Sequence, residues 1–443
     1  MPTSISTRCV GRRLAFAWIS VLLLGASAPF ASGQGSFSFE KPPIDYHNQP
    51  ASNHITRLQE LLDAKENLWK YDSQQGYLPA ILKALNISKT SQVLVFSKTS
   101  QQLRLINASH PRALYYNDHS YVGWVHGGNV LEIITSDDTL GTVFYTLKQQ
   151  QQPQPKFERD RGQCLICHAS RRTQGVPGPL VRSVYAGANG QPVFGLGTFN
   201  TDHHSPFQRR WGGYYVTGNH GTMQHMGNKF FQENQLESEI DLAPGSNLKD
   251  LSSFLNTSPY LSNHSDLVAL MVLEHQVQMQ NLLTLAQFEE ITTTHYDRTL
   301  NKNLGRPADF QSELSQRRIK RVGEKVLRYL LFADEFRLQA PVAGTSGFTK
   351  YFSQQGPHDR QGRSLRDFDC QTRLFKHPLS YQVYSPAFDN LPTHVKRYVI
   401  ERLQQILSNQ DQASDFPNLK PADRTAIREI LQETKPELLK PVG

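Results

Sequence analysis

Cys164-Leu165-Ile166-Cys167-His168 is the one run of this sequence whose residue types and spacing specify a chemistry. Two thiols three positions apart can each form a thioether to one edge of a porphyrin. The histidine that follows at once falls under the iron and supplies an axial nitrogen. C-x-x-C-H is the spacing of covalent haem attachment, so Cys164, Cys167 and His168 are the expected cofactor-binding residues, with one haem c per chain.

Two other uses of the pair stay open. A redox or structural disulfide is one, although such oxidoreductases place the motif where a strand runs into a helix. Zinc is the other. It lacks a second nearby Cys/His pair, and Cys370 with scattered histidines would have to complete the site.

The N-terminus suits the haem reading. Arg8, Arg12 and Arg13 precede an apolar run from Leu14 to Leu24, 11 residues long. That is too short to span a bilayer and fits a signal-peptide core. Small residues follow, and cleavage is expected after Gly33, giving an exported, periplasmic or extracellular protein. No later stretch reaches the length of a membrane span, so no transmembrane segment is expected in the mature chain. The four cysteines include Cys9, which leaves with the signal; Cys370 then stands alone and reads as a small core residue. Loss of three arginines lowers the formal charge from +8 to +5. This diffuse excess favours an acidic redox partner and is too dispersed for nucleic acid.

The pattern divides the chain into a signal at 1–33, an N-terminal helix plus β-rich module at 34–148, and a Gln/Pro linker at 149–156. A loop-rich haem segment at 157–235 and a helical region at 236–443 follow. The expected class is α+β. Helices are predicted over Ile55–Trp69 and Leu78–Leu85. Strands are predicted at Val93–Phe96, Leu103–Ile106, Ala113–Tyr116, Tyr121–Val125, Val130–Ile134 and Val143–Leu147, with Asn117-Asp118 and Gly127-Gly128-Asn129 as turns. Leu267–Lys302 has no proline or glycine and reads as one long helix. Phe310–Leu338, Val395–Leu407 and Ala422–Thr434 read as amphipathic helices.

The segment around the motif resembles the haem-binding region of c-type cytochromes. The whole chain is similar to large exported bacterial proteins carrying one such motif. The likeness rests on the five-residue run and on Gly178-Pro179-Leu180, about ten residues past His168. It implies that the Pro179 carbonyl orients the His168 ring, fixing its tautomer. The residues before Cys164 depart from the family, being polar where an amphipathic helix is usual.

The sixth iron ligand decides what such a haem does. Met226 is the first candidate and Met223 the second, both in the glycine-flanked run His220–Gly227, about 55 residues past His168. His275 is the rival, with Met271 and Met279 four residues to either side on one helical face. Asp202-His203-His204 reads as a solvated loop. Arg209-Arg210-Trp211 offers cations for haem propionates and a ring for the porphyrin. The leading expectation is electron transfer. The alternative is a haem oxidoreductase or ligand sensor with an open distal side and His220 or His225 as base. Four times the length of a minimal electron carrier motivates that alternative.

Overall fold

The computed structural model describes residues 38–64, 69–193, 195–410 and 415–441. The expected signal peptide and Cys9 lie outside the described residues. The fold is α+β: an antiparallel sheet in the N-terminal half, helices in the C-terminal part.

After helices α1 (His54–Ala64) and α2 (Leu78–Ala84) come strands β1 (Val93–Val95), β2 (Arg112–Tyr116), β3 (Ser120–Trp124), β4 (Val130–Asp137), β5 (Gly141–Lys148) and β6 (Phe157–Arg159). Each strand pairs antiparallel with the next in a six-stranded meander. The turns follow from side-chain chemistry. Asn117 Oδ1 accepts from the backbone of His119 and Ser120 at 3.0 and 2.9 Å. Asp137 Oδ1 does the same for Thr139 and Leu140, the local bonding for which Asn and Asp are favoured at turns. In β4 burial alternates, with Leu131, Ile133 and Thr135 turned inward, as a period of two requires.

Leu103–Ile106 is not a strand. Leu103–Leu105 form one turn of 3-10 helix and both leucines are exposed, leaving Ile106 as the anchor. The Gln/Pro tract expected as a linker is bound to the fold instead. Tyr71 and Tyr77 hold Gln149 and Gln152, and β6 follows directly. One hydrophobic core therefore runs from Phe39 to Leu438.

Beyond β6 a single helical turn, α3 (Leu165–His168), carries the Cys-x-x-Cys-His run. A small antiparallel pair, β7 (Arg182–Val184) and β8 (Thr198–Asn200), follows. Then comes α4 (Leu267–Leu304), 38 residues capped by Asp266 and ended by left-handed Gly305. Its first half is buried almost all round, as expected of a helix through the middle of a core.

Helix α5 (Glu313–Leu330) packs along α4 and is shorter than predicted. Ser312 caps its start, and Phe332 and Asp334 take left-handed φ values of 51° and 65° just after its end. Short helices α6 (Phe348–Ser353) and α7 (Pro386–Asp389) lead to α8 (Thr393–Leu407) and α9 (Pro421–Thr434). Among the described residues no helix is long and apolar enough to cross a membrane.

Candidate functional site

The site is built where β6 ends. Asp160 Oδ2 accepts from the backbone N–H of Gly162 and of Cys164, both at 3.0 Å, and so fixes the entry to α3. Inside the turn, the N–H groups of Cys167 and His168 both reach the Cys164 carbonyl, at 3.2 and 3.0 Å. Residues three and four apart on a helix share a face, so both thiols and the imidazole belong to one small surface.

Leu165 is buried and anchors the turn, whereas Ile166 is 78% exposed. Cys164 is half-buried, Cys167 exposed, and both are free thiols. Gln101 Nε2 lies 3.1 Å from Cys164 Sγ, bringing the loop with exposed Leu103 and Leu105 beside the motif. Burial first, then the Asp160 and Glu132 carboxylates, push the Cys164 thiol up to about 12. A thiol-exchange cysteine needs the opposite shift.

His168 is held on both sides. Its Nδ1 is 2.9 Å from the Gly178 carbonyl, and the Gly178 N–H returns a bond of 2.8 Å to the His168 carbonyl. The Phe144 ring lies 5.1 Å away, centroid to centroid. Burial lowers the imidazole pKa, so the ring is neutral at pH 7. With Nδ1–H donating to a carbonyl, the lone pair sits on Nε2, the tautomer a metal ligand needs.

The carbonyl facing the ring is that of Gly178, one residue earlier than the Pro179 carbonyl expected. Pro179 points its oxygen at Asn281 Nδ2 of α4, 3.0 Å away, because a buried carbonyl needs a donor. A Cβ on Gly178 would overlap the Asn281 side-chain oxygen. Gly178→Val is therefore expected to cost about 1–3 kcal/mol through overpacking, measured by urea unfolding; an unchanged midpoint would show that the loop yields freely.

The distal candidates are placed elsewhere in the core. Met226 is buried with Tyr185, Val193 and Phe231, and Ser183 Oγ donates to its sulfur at 3.5 Å. Met223 belongs to the main core, and its carbonyl meets His220 Nδ1 at 2.6 Å. His275 has both ring nitrogens engaged, Nδ1 with His203 Nδ1 and Nε2 with Ser380 Oγ, each at 2.8 Å. Among the described residues no hydrogen bond or ring contact joins His168 to any of the three.

In the Asp202-His203-His204 and Arg209-Arg210-Trp211 runs, His203, Arg210 and Trp211 are buried, whereas His204 and Arg209 are exposed. His203 is 2% exposed. Arg210 is paired with buried Glu274, and Trp211 donates to the same carboxylate at 3.2 Å. Arg209 lies over the Phe199 ring at 5.1 Å. Cys370 is half-buried, and burial pushes its thiol up to about 12. Among the described residues no three His, Cys, Asp or Glu side chains are grouped to hold a metal ion, so the zinc alternative has no ligand set.

Sequence reasoning missed Asn281, and it gave the imidazole's acceptor to Pro179 where the structure has Gly178. The only local signal was the Gly-Pro pair itself. No protein-family model, curated protein or solved structure matches the chain.

Proposed function

We propose that this chain is an exported single-haem protein of the c type that passes electrons through a haem bound at Cys164 and Cys167, with His168 as axial ligand. The observation that carries the reading is the tethering of His168. Its Nδ1 is fixed to the Gly178 carbonyl within one helical turn of two free thiols. The donor set fits the group: an exposed and a half-buried free thiol three residues apart, and an imidazole whose lone pair is left on Nε2 by the hydrogen bond at Nδ1. When bound, the haem supplies one-electron exchange between ferric and ferrous iron.

The rest is done by the chain. Asp160 holds the start of α3, and Leu165 ties the turn to the core. Asn281 anchors the Gly178-Pro179 loop that sets the imidazole plane. Ile166, Leu103 and Leu105 supply exposed apolar surface beside the thiols. The net positive charge suits an acidic redox partner.

A second reading, a haem oxidoreductase or ligand sensor with an open sixth position, is favoured by one observation. Met226, Met223 and His275 are all occupied inside the core. Carbon monoxide binding to the reduced protein separates the two.

The primary test is a pyridine haemochrome spectrum on protein made in a host with c-type maturation. A c-type spectrum that survives denaturation, and disappears in Cys164→Ala/Cys167→Ala, is the expected result. Wild-type protein without covalent haem from such a host would overturn the reading.

A further inference from the structure

Two arginines leave the motif on short tethers and meet again. Arg172 lies four residues past His168, in a 3-10 turn whose Ser170 Oγ donates to the Cys167 carbonyl at 2.9 Å. Arg182 opens β7, three residues past Pro179. In the β7–β8 register Arg182 stands opposite Asn200, so their side chains project from the same face, together with Thr198 two positions along.

The contacts agree with that placement. Arg182 Nε donates to Thr198 Oγ1 at 3.2 Å, and Arg172 Nη1 donates to Asn200 Oδ1 at 3.3 Å. Asn200 Nδ2 in turn donates to the Arg172 carbonyl at 2.9 Å. The hairpin therefore gathers two guanidinium groups with neutral partners only. Neither makes a salt bridge among the described residues, and Arg182 keeps both terminal nitrogens without a hydrogen-bond partner there. Arg112, also close to His168, differs in being paired with Glu132 at 3.0 Å.

Two like charges held side by side repel. Structure that fixes them without a counter-charge makes an anion site, and a planar fork of donors matches a carboxylate best. A haem carries two propionate carboxylates, and both arginines reach this face from the turn that bears Cys167 and from the loop that faces His168.

We infer that Arg172 and Arg182 form a carboxylate clamp for the propionates of the covalently bound haem. The inference rests on the c-type haem reading. The clamp neutralises negative charge near the iron, and neutralisation favours the ferrous form and raises the reduction potential.

The test is a spectroelectrochemical titration of the matured holoprotein, with a haemochrome spectrum on every sample. Arg172→Gln/Arg182→Gln is expected to retain covalent haem and to show a lower midpoint potential. Arg172→Lys/Arg182→Lys is expected to return most of the shift. Arg317→Gln/Arg360→Gln removes the same charge from side chains that are 78% and 92% exposed, and is expected to match the wild type.

Equal potentials for the glutamine pair and the surface control would overturn the clamp while leaving the haem reading intact. A wild-type potential that moves with added inorganic phosphate, and a glutamine pair that does not respond, would assign the arginines to a soluble anion and also overturn it. Absence of covalent haem from the wild type would instead strike the reading beneath.

Discussion

Replacing Arg210 by methionine is expected to destabilise the protein by about 3–5 kcal/mol, the cost of leaving one member of a buried ion pair alone. Arg210 is 2% exposed and Glu274 fully buried. The guanidinium also satisfies the carbonyls of Ser205, at 2.8 and 2.6 Å, and of His203 at 3.2 Å. Glu274 holds Trp211 through its other oxygen. Burial pushes the Glu274 carboxyl above its ordinary range, and Arg210 is the chief influence opposing that rise.

The variant therefore loses a charge partner and strands the Ser205 carbonyl, while the His203 carbonyl keeps the Phe336 N–H at 2.9 Å. Arg210→Met/Glu274→Gln is expected to recover part of the loss, because a buried pair contributes little over neutral groups once both charges are gone. Urea midpoints at pH 7.5 decide it. A single variant within 1 kcal/mol of wild type, on the order of a surface substitution, would show that water replaces the guanidinium.

This network lies on the same face of α4 as Asn281, seven residues and two turns further along, roughly 10 Å at 1.5 Å per residue. One face of one helix thus supports both the Arg210 cluster and the loop that orients His168. On the proposed haem reading, Arg210→Met protein that still folds should attach haem as the wild type does, since α3 and Asp160 set the thiols without help from Arg210.

The sequence made some of this plain and hid the rest for physical reasons. Strands β2 to β5 were legible because they are short runs of β-branched and aromatic residues, and because turn residues at Asn117-Asp118 and Gly127-Gly128-Asn129 separate them. Helix α4 was legible because no breaker interrupts it between its ends at Asp266 and Gly305. Leu103 and Leu105 misled because alternating leucines have the strand period whether or not a sheet receives them. The end of α5 was hidden because Phe332 adopts a left-handed φ, which no local signal marks in an aromatic residue. At the site, the Cys164–His168 spacing is local covalent chemistry, readable without a fold. Which carbonyl faces His168 is decided by Asn281, 102 residues beyond Pro179. The burial of His203 and the sequestration of His275 are likewise a long-range matter, since each occupies the other's ring nitrogen.

Those buried histidines set the second large effect, an acid-dependent loss of stability. Burial is the main cause that lowers His225 and His275 to about 3 and His203 well below its ordinary value. His220 and Lys229 add to the shift at His225; His204 adds to it at His275, and His275, His204 and Arg210 add to it at His203. All three are neutral in the fold and take up a proton in the unfolded chain below about pH 6.5. Between pH 6.5 and 3 the unfolded state binds more protons. Their contribution is therefore complete above pH 6.5 and falls as the pH drops, by about 1 kcal/mol per pH unit for each histidine. Glu274 and Glu335 act in the opposite sense: burial raises both, Glu335 to about 7, so they bind protons in the fold first and gain stability on acidification. The raw profile mixes the two signs, and a difference separates them. His225→Asn retains both glutamates and removes one depressed histidine. Relative to this variant, the wild type is expected to lose about 1 kcal/mol more between pH 7.5 and 5.5, and about 2–3 kcal/mol more by pH 4.5. Denaturant unfolding at the three pH values reads that difference directly. Parallel profiles would mean that His225 accepts its proton inside the fold, among the Trp211, Phe207 and His220 rings that pack on it.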